Sequence, residues 1–400
     1  MGHQGNAQVN DRLYVKGAHT GTTQLQLHAV KGKWTDGAIG SVLTSVGDEQ
    51  GSFYLPEQED RLFFHKVVLD THKRSQGDTV TDGYNTDWYI KGFQKRPTDD
   101  NGNYTHTVRG IMGLDGINYH IWRDSQDNLF RRMGELHSGI QEKEGIWARV
   151  KGSEIQRDGQ FPFEDKYTTY EVGYDQLASH RADRDHYQGI AFDYMEGKAS
   201  YFGGRSDTHS YALGLYDTKV RHDGQYLDLA FRIHRLMNKI VAHDGISGHG
   251  DNTGMSLGAE YGWKKDLGRG WFVEPQAQFT LGWLSGADWT MENGVHVEED
   301  NIRSAVGRTG LRVGYQGHKA QFFVKADWYH EFDGAGQVHL SDDEGRLVFD
   351  EDYGDTWFEY GIGGKIQITP TTQIYADLDR SNGGTYHKNW SYDVGIRWAF

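Results

Sequence analysis

The chain holds 20 His and 57 acidic residues but no Cys. Thiolate metal sites, disulfides and cysteine nucleophiles are therefore excluded, which suits a protein that crosses the periplasm. The histidines are scattered, and none falls in an HExxH pair. One run, His180, Asp183, Asp185 and His186, gathers imidazole and carboxylate donors of the kind a divalent ion takes. It is read as a solvated surface loop. Ser341, Asp342, Asp343 and Glu344 offer oxygen ligands for Ca²⁺ and are read the same way. No GxSxG occurs, so a lipase has no nucleophile here. No cofactor and no metal is expected. The charges that stand out lie on strand-like segments. Glu274 alternates with Val273, and Arg308 and Arg312 face away from Leu311 and Val313. Such faces suit the lining of a water-filled pore crossed by ion pairs.

The elements that position these charges are best seen in the last ten residues, SYDVGIRWAF. Tyr392, Val394, Ile396, Trp398 and Phe400 are large and apolar; Asp393, Gly395, Arg397 and Ala399 separate them. The period of two gives a strand with one greasy and one polar or small face. Aromatics at both ends of the greasy face match a lipid-facing strand of an outer-membrane barrel. As an exposed edge of a soluble sheet it would invite aggregation. Twelve such segments are expected from Gly145 to the end, the first near Ile146, the sixth near Gly254 and the last near Ser391. Leu227, Leu229, Phe231 and Ile233 oppose Asp228, Ala230, Arg232 and His234; Met255, Leu257, Ala259, Tyr261 and Trp263 alternate in the same way. Tight connections (Arg221 to Gly224, Gly268 to Gly270) and long acidic ones (Thr290 to Ile302, Phe332 to Asp355) give the two unlike ends of a barrel.

Before the barrel one helix is expected, from Ile111 to His137. Ile111, Leu114, Ile117, Ile121, Leu129, Met133 and Leu136 recur at three- and four-residue steps. About 25 residues would span about 38 Å, enough to cross a bilayer. Arg123, Asp124, Asp127, Arg131, Arg132 and Glu135 forbid contact with lipid, so the helix belongs inside the lumen. Residues 94 to 108 are polar and are expected to be a linker. From about Asn10 to Phe93, short strands about ten residues apart suggest stacked coils. The expected organisation is 1–95, a β segment of stacked coils; 96–138, linker and lumen helix; 139–400, barrel.

Composition agrees. There are 53 Gly and 5 Pro, and no run of 18 apolar residues for a spanning helix. The net charge of −15 excludes nucleic acid as a partner. No apolar signal core follows Met1, so the chain is expected to be a mature piece or fragment, with Met1 added in cloning.

These features carry a resemblance. NLFRRMGEL (128–136), GIWARV (145–150), GWFVEPQAQ (270–278), GRTGLRVG (307–314), IYADLDRSNGG (374–384) and the terminal WSYDVGIRWAF occur in an order that resembles the carboxy-terminal part of autotransporters. These are the type V secretion proteins of Gram-negative bacteria, of pertactin-like or AIDA-like kind. The resemblance implies an all-β fold: a twelve-stranded antiparallel transmembrane barrel with an α-helix through its lumen, preceded by a short β-helix-like passenger remnant. It implies an outer-membrane translocator that anchors its passenger and helps export it to the cell surface. Outer-membrane lipid, the barrel-assembly machinery, periplasmic chaperones and the chain's own passenger are the implied partners of a monomer. Tyr392, Val394, Ile396, Trp398 and Phe400 would be the assembly signal. Some relatives cut their own chain in this helix, in the pattern N-N-L-N-K-R-M-G, where the amide of the first Asn attacks its own backbone carbonyl. Asp127 stands at that position here and Asn128 follows it, which makes Asp127–Asn128 the candidate junction. An Asp carboxylate lacks the amide nitrogen that the cyclisation uses. Glu274 and Arg308 could orient a reacting amide. The alternatives are an outer-membrane barrel protease and a plain porin; a charged lumen helix argues against both.

Overall fold

A computed structural model describes residues 2–4, 7–9, 12–26, 38–74, 83–125, 144–243 and 245–400. They form two compact units, Met1–Thr105 and His106–Phe400. The helix therefore belongs to the barrel unit. The loop after residue 96 belongs to the first, where the Asp99 carboxylate accepts from the backbone N–H of Asn101 and Asn103.

The first unit begins with an antiparallel pair, β1 (Gly2–Gln4) and β2 (Ala7–Val9). A five-stranded sheet follows: β3 (Leu13–Gln24), β4 (Val42–Tyr54), β5 (Gln58–Asp60), β6 (Phe63–Lys73) and β7 (Thr86–Arg96), in the order β3-β4-β7-β6-β5. Among the described residues, β3 and β4 are the pair that runs in parallel, as stacked coils would. β4 to β7 pair antiparallel instead. Leu43, Leu55 and Ile90 form its apolar centre. Beside it Asp87 accepts from Arg12 at 2.6 Å, from Arg74 at 2.9 Å and from Ser45 at 2.5 Å. Burial raises the Asp87 carboxyl, but these donors outweigh it and hold its pKa below the usual carboxylate range. A lowered folded value favours the ionised fold. Its contribution is complete above about pH 4 and is lost as pH falls further. Wild type should therefore outlast Asp87→Asn in urea at pH 6 by about 1 kcal/mol, and the gap should close as pH drops below about 4. A gap that does not change with pH would refute the assignment.

The second unit is a closed barrel of twelve long strands. They are β8 (Gly145–Arg157), β9 (Phe163–His180), β10 (Arg184–Tyr201), β11 (Gly204–Arg221), β12 (Gln225–Ala242), β13 (Ser247–Trp263), β15 (Trp271–Leu284), β18 (Ile302–Gln316), β19 (Ala320–Glu331), β22 (Thr356–Thr369), β23 (Thr372–Asn382) and β24 (Tyr386–Ala399). Each pairs antiparallel with its neighbours. β13 pairs with β15, and β24 closes onto β8 with Val394 opposite Val150 and Ile396 opposite Ala148. The short β14 (Lys265–Gly268) flanks the turn at Gly268, Arg269 and Gly270, all with positive φ.

Alternation sets the two faces. Leu227, Leu229 and Phe231 are exposed outward, whereas Asp228, Arg232 and His234 are buried inward. Several inward aromatics lie flat over a glycine of the next strand. A Cβ on Gly173 would meet Trp147 at 2.3 Å, one on Gly262 would meet Tyr226 at 2.3 Å, and one on Gly395 would meet Tyr375 at 2.2 Å. The many glycines of the wall are thus seats for large rings.

Two expectations are corrected. The sixth and last strands begin earlier than Gly254 and Ser391, because their polar outer ends still pair: Ser247 with Val241, and Tyr386 with Arg157. The long acidic connections are not open loops. They form a four-stranded sheet of β16 (Asp288–Thr290), β17 (His296–Glu299), β20 (Ala335–Ser341) and β21 (Arg346–Asp352). Val297, Val338, Leu340 and Phe349 are buried in it.

Candidate functional site

The helix α1 spans His106–Asp124. It starts five residues before the expected Ile111. His106, Thr107 and Val108 are weak helix formers, so tertiary contacts hold the first turn. His106 stacks on Phe202 and His243, and the Arg109 guanidinium lies 3.6 Å over the Phe202 ring. Gly110, Gly113 and Gly116 let the helix lie close to the wall; a Cβ on Gly113 would meet Tyr201 at 3.1 Å.

Residues Thr107 to Arg123 are almost all buried, polar ones included. No helix among the described residues is long and apolar enough to cross a membrane; this one is covered by barrel. Its polar side chains find partners on the wall and cap. Asn118 donates to Asn252 at 3.0 Å. The Tyr353 hydroxyl donates to Asp115 at 2.5 Å, and its ring stacks on Tyr119. The Tyr119 hydroxyl donates to Glu331 at 2.6 Å. Around them Ile117, Ile121 and Trp122 pack on Ile155, Phe163, Leu236, Leu284, Ile302 and Tyr386, so the outer half of the lumen is an apolar core. Trp122 is wedged against two glycines; a Cβ on Gly254 or on Gly282 would each meet its ring at 2.4 Å.

Asp124 ends the helix near the middle of the barrel. It takes Lys388 at 2.7 Å and Lys151 at 2.9 Å, and accepts from the Tyr167 hydroxyl. Lys388 also reaches Glu359 at 2.9 Å. Lys151, Lys388, Tyr167 and Glu359 are buried, and the Asp124 side chain is 7% exposed. Arg123 lies 4.3 Å over Trp357 and 4.8 Å over Tyr386.

Toward the inner end, cross-strand ion pairs replace the apolar core. Arg149 joins Glu171 and Asp393; Arg232 joins Glu171 and Asp193. The three expected lumen residues are buried here. Arg312 donates to Glu274 at 2.6 Å; Arg308 instead meets Asp327 at 3.1 Å and Glu260 at 3.3 Å. A buried ion pair adds little net stability, but one charge left without the other is costly. These pairs fix register across the wall and fill its bore.

The terminal strand sits as the alternation requires. Val394, Ile396, Trp398 and Phe400 are about half-exposed on the outer face, with Tyr392 partly exposed beside them. The Phe400 N–H donates to the Glu144 carbonyl at 3.0 Å, so the last residue completes the seam. Asp127 and Asn128 lie outside the described residues, as does the expected helix from 126 to 137.

The histidine-rich run is not a plain solvated loop. His180 Nδ1 lies 2.5 Å from Asp185 Oδ1. His222, from another hairpin, brings Nε2 to 3.4 Å from Asp185 Oδ2. His186 turns elsewhere, to Asp217 at 2.7 Å, and Asp183 contributes its carbonyl to the His222 N–H. His222 lies about forty residues away, so no local spacing could have signalled it.

Comparison with known proteins places this geometry. The family described as "Autotransporter beta-domain" matches residues 146–379. The pertactin autotransporter of Bordetella parapertussis is 29% identical over 297 residues, which are 71% of this chain and 32% of that protein. The serine protease EspC of Escherichia coli O127:H6 is 26% identical over 325 residues, 79% of this chain and 24% of that one. The chain thus spans a third or less of the length of these curated relatives. Among solved structures, the β domain of the Bordetella autotransporter BrkA superposes with a TM-score of 0.53 at 24% identity, covering 65% of this chain and all of that one. The translocator domain of NalP from Neisseria meningitidis gives 0.53 at 18% identity, covering 74% and 99%.

Proposed function

Because the chain belongs to the autotransporter β-domain family, we propose that α1 is the parked end of an exported passenger, held in the pore that carried it. The barrel is an outer-membrane translocator. The observation behind the parked-end reading is α1 itself, buried in the outer half of the lumen and tied at Asp124 to Lys151 and Lys388. A porin would leave that space to water, and a barrel protease would need its acid–base pair at the open rim. On this reading most of the passenger lies upstream of these residues, and its activity is set there. The implied partners are lipid around the wall, periplasmic chaperones on the way to it, and the barrel-assembly machinery at Tyr392 to Phe400. Glu274, Arg308 and Arg312 line the bore as fixed ion pairs.

Asp127–Asn128 is the position where this reading allows intramolecular chemistry. Asp127 puts a carboxylate where the cyclising amide should stand, and attack by Asn128 on its own carbonyl would shift the bond by one residue, so refolded protein should give one species of about 45.5 kDa by intact mass. Two fragments, the larger beginning at or near Asn128, would overturn this in favour of self-cleavage. Asn128→Ala should then leave the chain whole.

A further inference from the structure

We propose that His180, Asp185 and His222 form a binding site for a divalent transition-metal ion of the Zn²⁺ class, at the periplasmic rim of the barrel. The site joins two adjacent hairpins. His180 and Asp185 flank the turn between β9 and β10, and His222 lies in the turn between β11 and β12. One ligand atom from each residue falls within 4.8 Å of the other two.

The hydrogen bonds around His222 show what the cluster lacks. Its Nδ1 lies 3.1 Å from the Ala182 carbonyl, which can only accept. Nδ1 therefore carries the ring proton. In the neutral ring Nε2 then directs a lone pair at Asp185 Oδ2, 3.4 Å away. Two lone pairs facing each other require a cation between them. An N–H bonded to a backbone carbonyl behind a lone pair is also how metal-ligating histidines are held.

The competing occupant is a single proton on His222 Nε2, because neutral His180 can donate from Nδ1–H to Asp185 without another. His180 approaches the other oxygen of the same carboxylate, and the two rings lie with centroids 6.0 Å apart. One metal ion joins both neutral rings and the carboxylate at once. Asp185 is 2% exposed, whereas the two rings are 46% and 37% exposed. The anion is thus fixed and the rings can turn onto an ion. Bonds of about 2.0–2.1 Å set tetrahedral neighbours roughly 3.3–3.4 Å apart. The Nε2–Oδ2 separation already meets this. The His180–Asp185 separation must open by under about 1 Å, within reach of an exposed ring. Three protein ligands leave a fourth position for water, and two imidazoles with one carboxylate suit Zn²⁺ over Mg²⁺ or Ca²⁺.

The test uses the full chain refolded in detergent and freed of metal, with Zn²⁺ as the probe. Equilibrium dialysis and elemental analysis should find one more Zn²⁺ per chain in wild type than in His222→Ala, with affinity at the site at least about tenfold weaker in the variant. His296→Ala, at a partly exposed histidine elsewhere, should match wild type. Co²⁺ should give a visible absorption band in wild type that His222→Ala loses. Equal Zn²⁺ uptake with the same Co²⁺ spectrum in both proteins would overturn the proposal. So would no Zn²⁺ uptake in wild type, the outcome expected if a proton fills the position. Should His222→Ala fail to show the heat-modifiable migration of a folded barrel, His180→Gln and Asp185→Asn carry the same comparison.

Discussion

Phe400→Asp should leave cells with almost no barrel in the outer membrane, while the same chain refolds in detergent close to normally. The two readouts separate recognition from stability. Phe400 sits at the rim, about half-exposed on the lipid face, with its ring beside Trp398 at 5.3 Å. A charge on the lipid face costs about 2–4 kcal/mol at the bilayer midplane but only about 0–1 kcal/mol near the interface. The backbone bond from Phe400 to Glu144 does not depend on the side chain. Folding stability thus gives little reason for failure, and complete loss in cells would mean that the aromatic ring is read by the assembly machinery. Normal heat-modifiable insertion of Phe400→Asp in cells would sink the assembly-signal role.

Asp124→Ala should open the pore. Lys151 and Lys388 are both buried, and both are neutralised at Asp124. Removing one member of a buried pair costs about 3–5 kcal/mol. Lys388 keeps Glu359 at 2.9 Å, so a loss toward the lower end of that range is expected. The loss falls on the docking of α1 and not on the wall, whose ladder stays intact. Conductance of the barrel in planar bilayers should rise severalfold, with heat-modifiable migration retained and Asp124→Asn between the two. Conductance equal to wild type would show that the apolar core around Trp122 holds the helix unaided.

The barrel was legible because a strand wall repeats every two residues and lipid enforces one face. Leu227, Leu229 and Phe231 declared their strand without help from the rest of the chain. The clamp on Asp124 was not legible, and the reason is local. Counting back by twos from Phe400 puts Lys388 on the lipid face. A bulge between Lys388 and Trp390 shifts the register by one, which carries the lysine inward. Helix periodicity likewise placed Asp124 on a polar face, yet could not say which wall residue it would meet. The cap sheet escaped because its strands are short and join two connections far apart in sequence: β17 pairs with β20 through Val297 and Leu340. His180 and Asp185 were legible as donors, but His222 escaped for the same reason, since it comes from a second hairpin.

The way α1 is seated also decides how the protein bears force. Its first residue lies at the outer mouth, beside Phe202 and His243, and its last lies deep, at Asp124. Tension on whatever precedes His106 would pull along the helix axis. The strongest ties, Trp122 in its glycine seats and Asp124 between two lysines, are farthest from the point of loading. The hydrogen bonds of the outer turns lie in series with that load, whereas the ties at the inner end resist together. Such an anchor yields by unwinding one turn at a time from outside and lengthens before it lets go. Any load that reaches His106 would thus meet a shock absorber built into the pore.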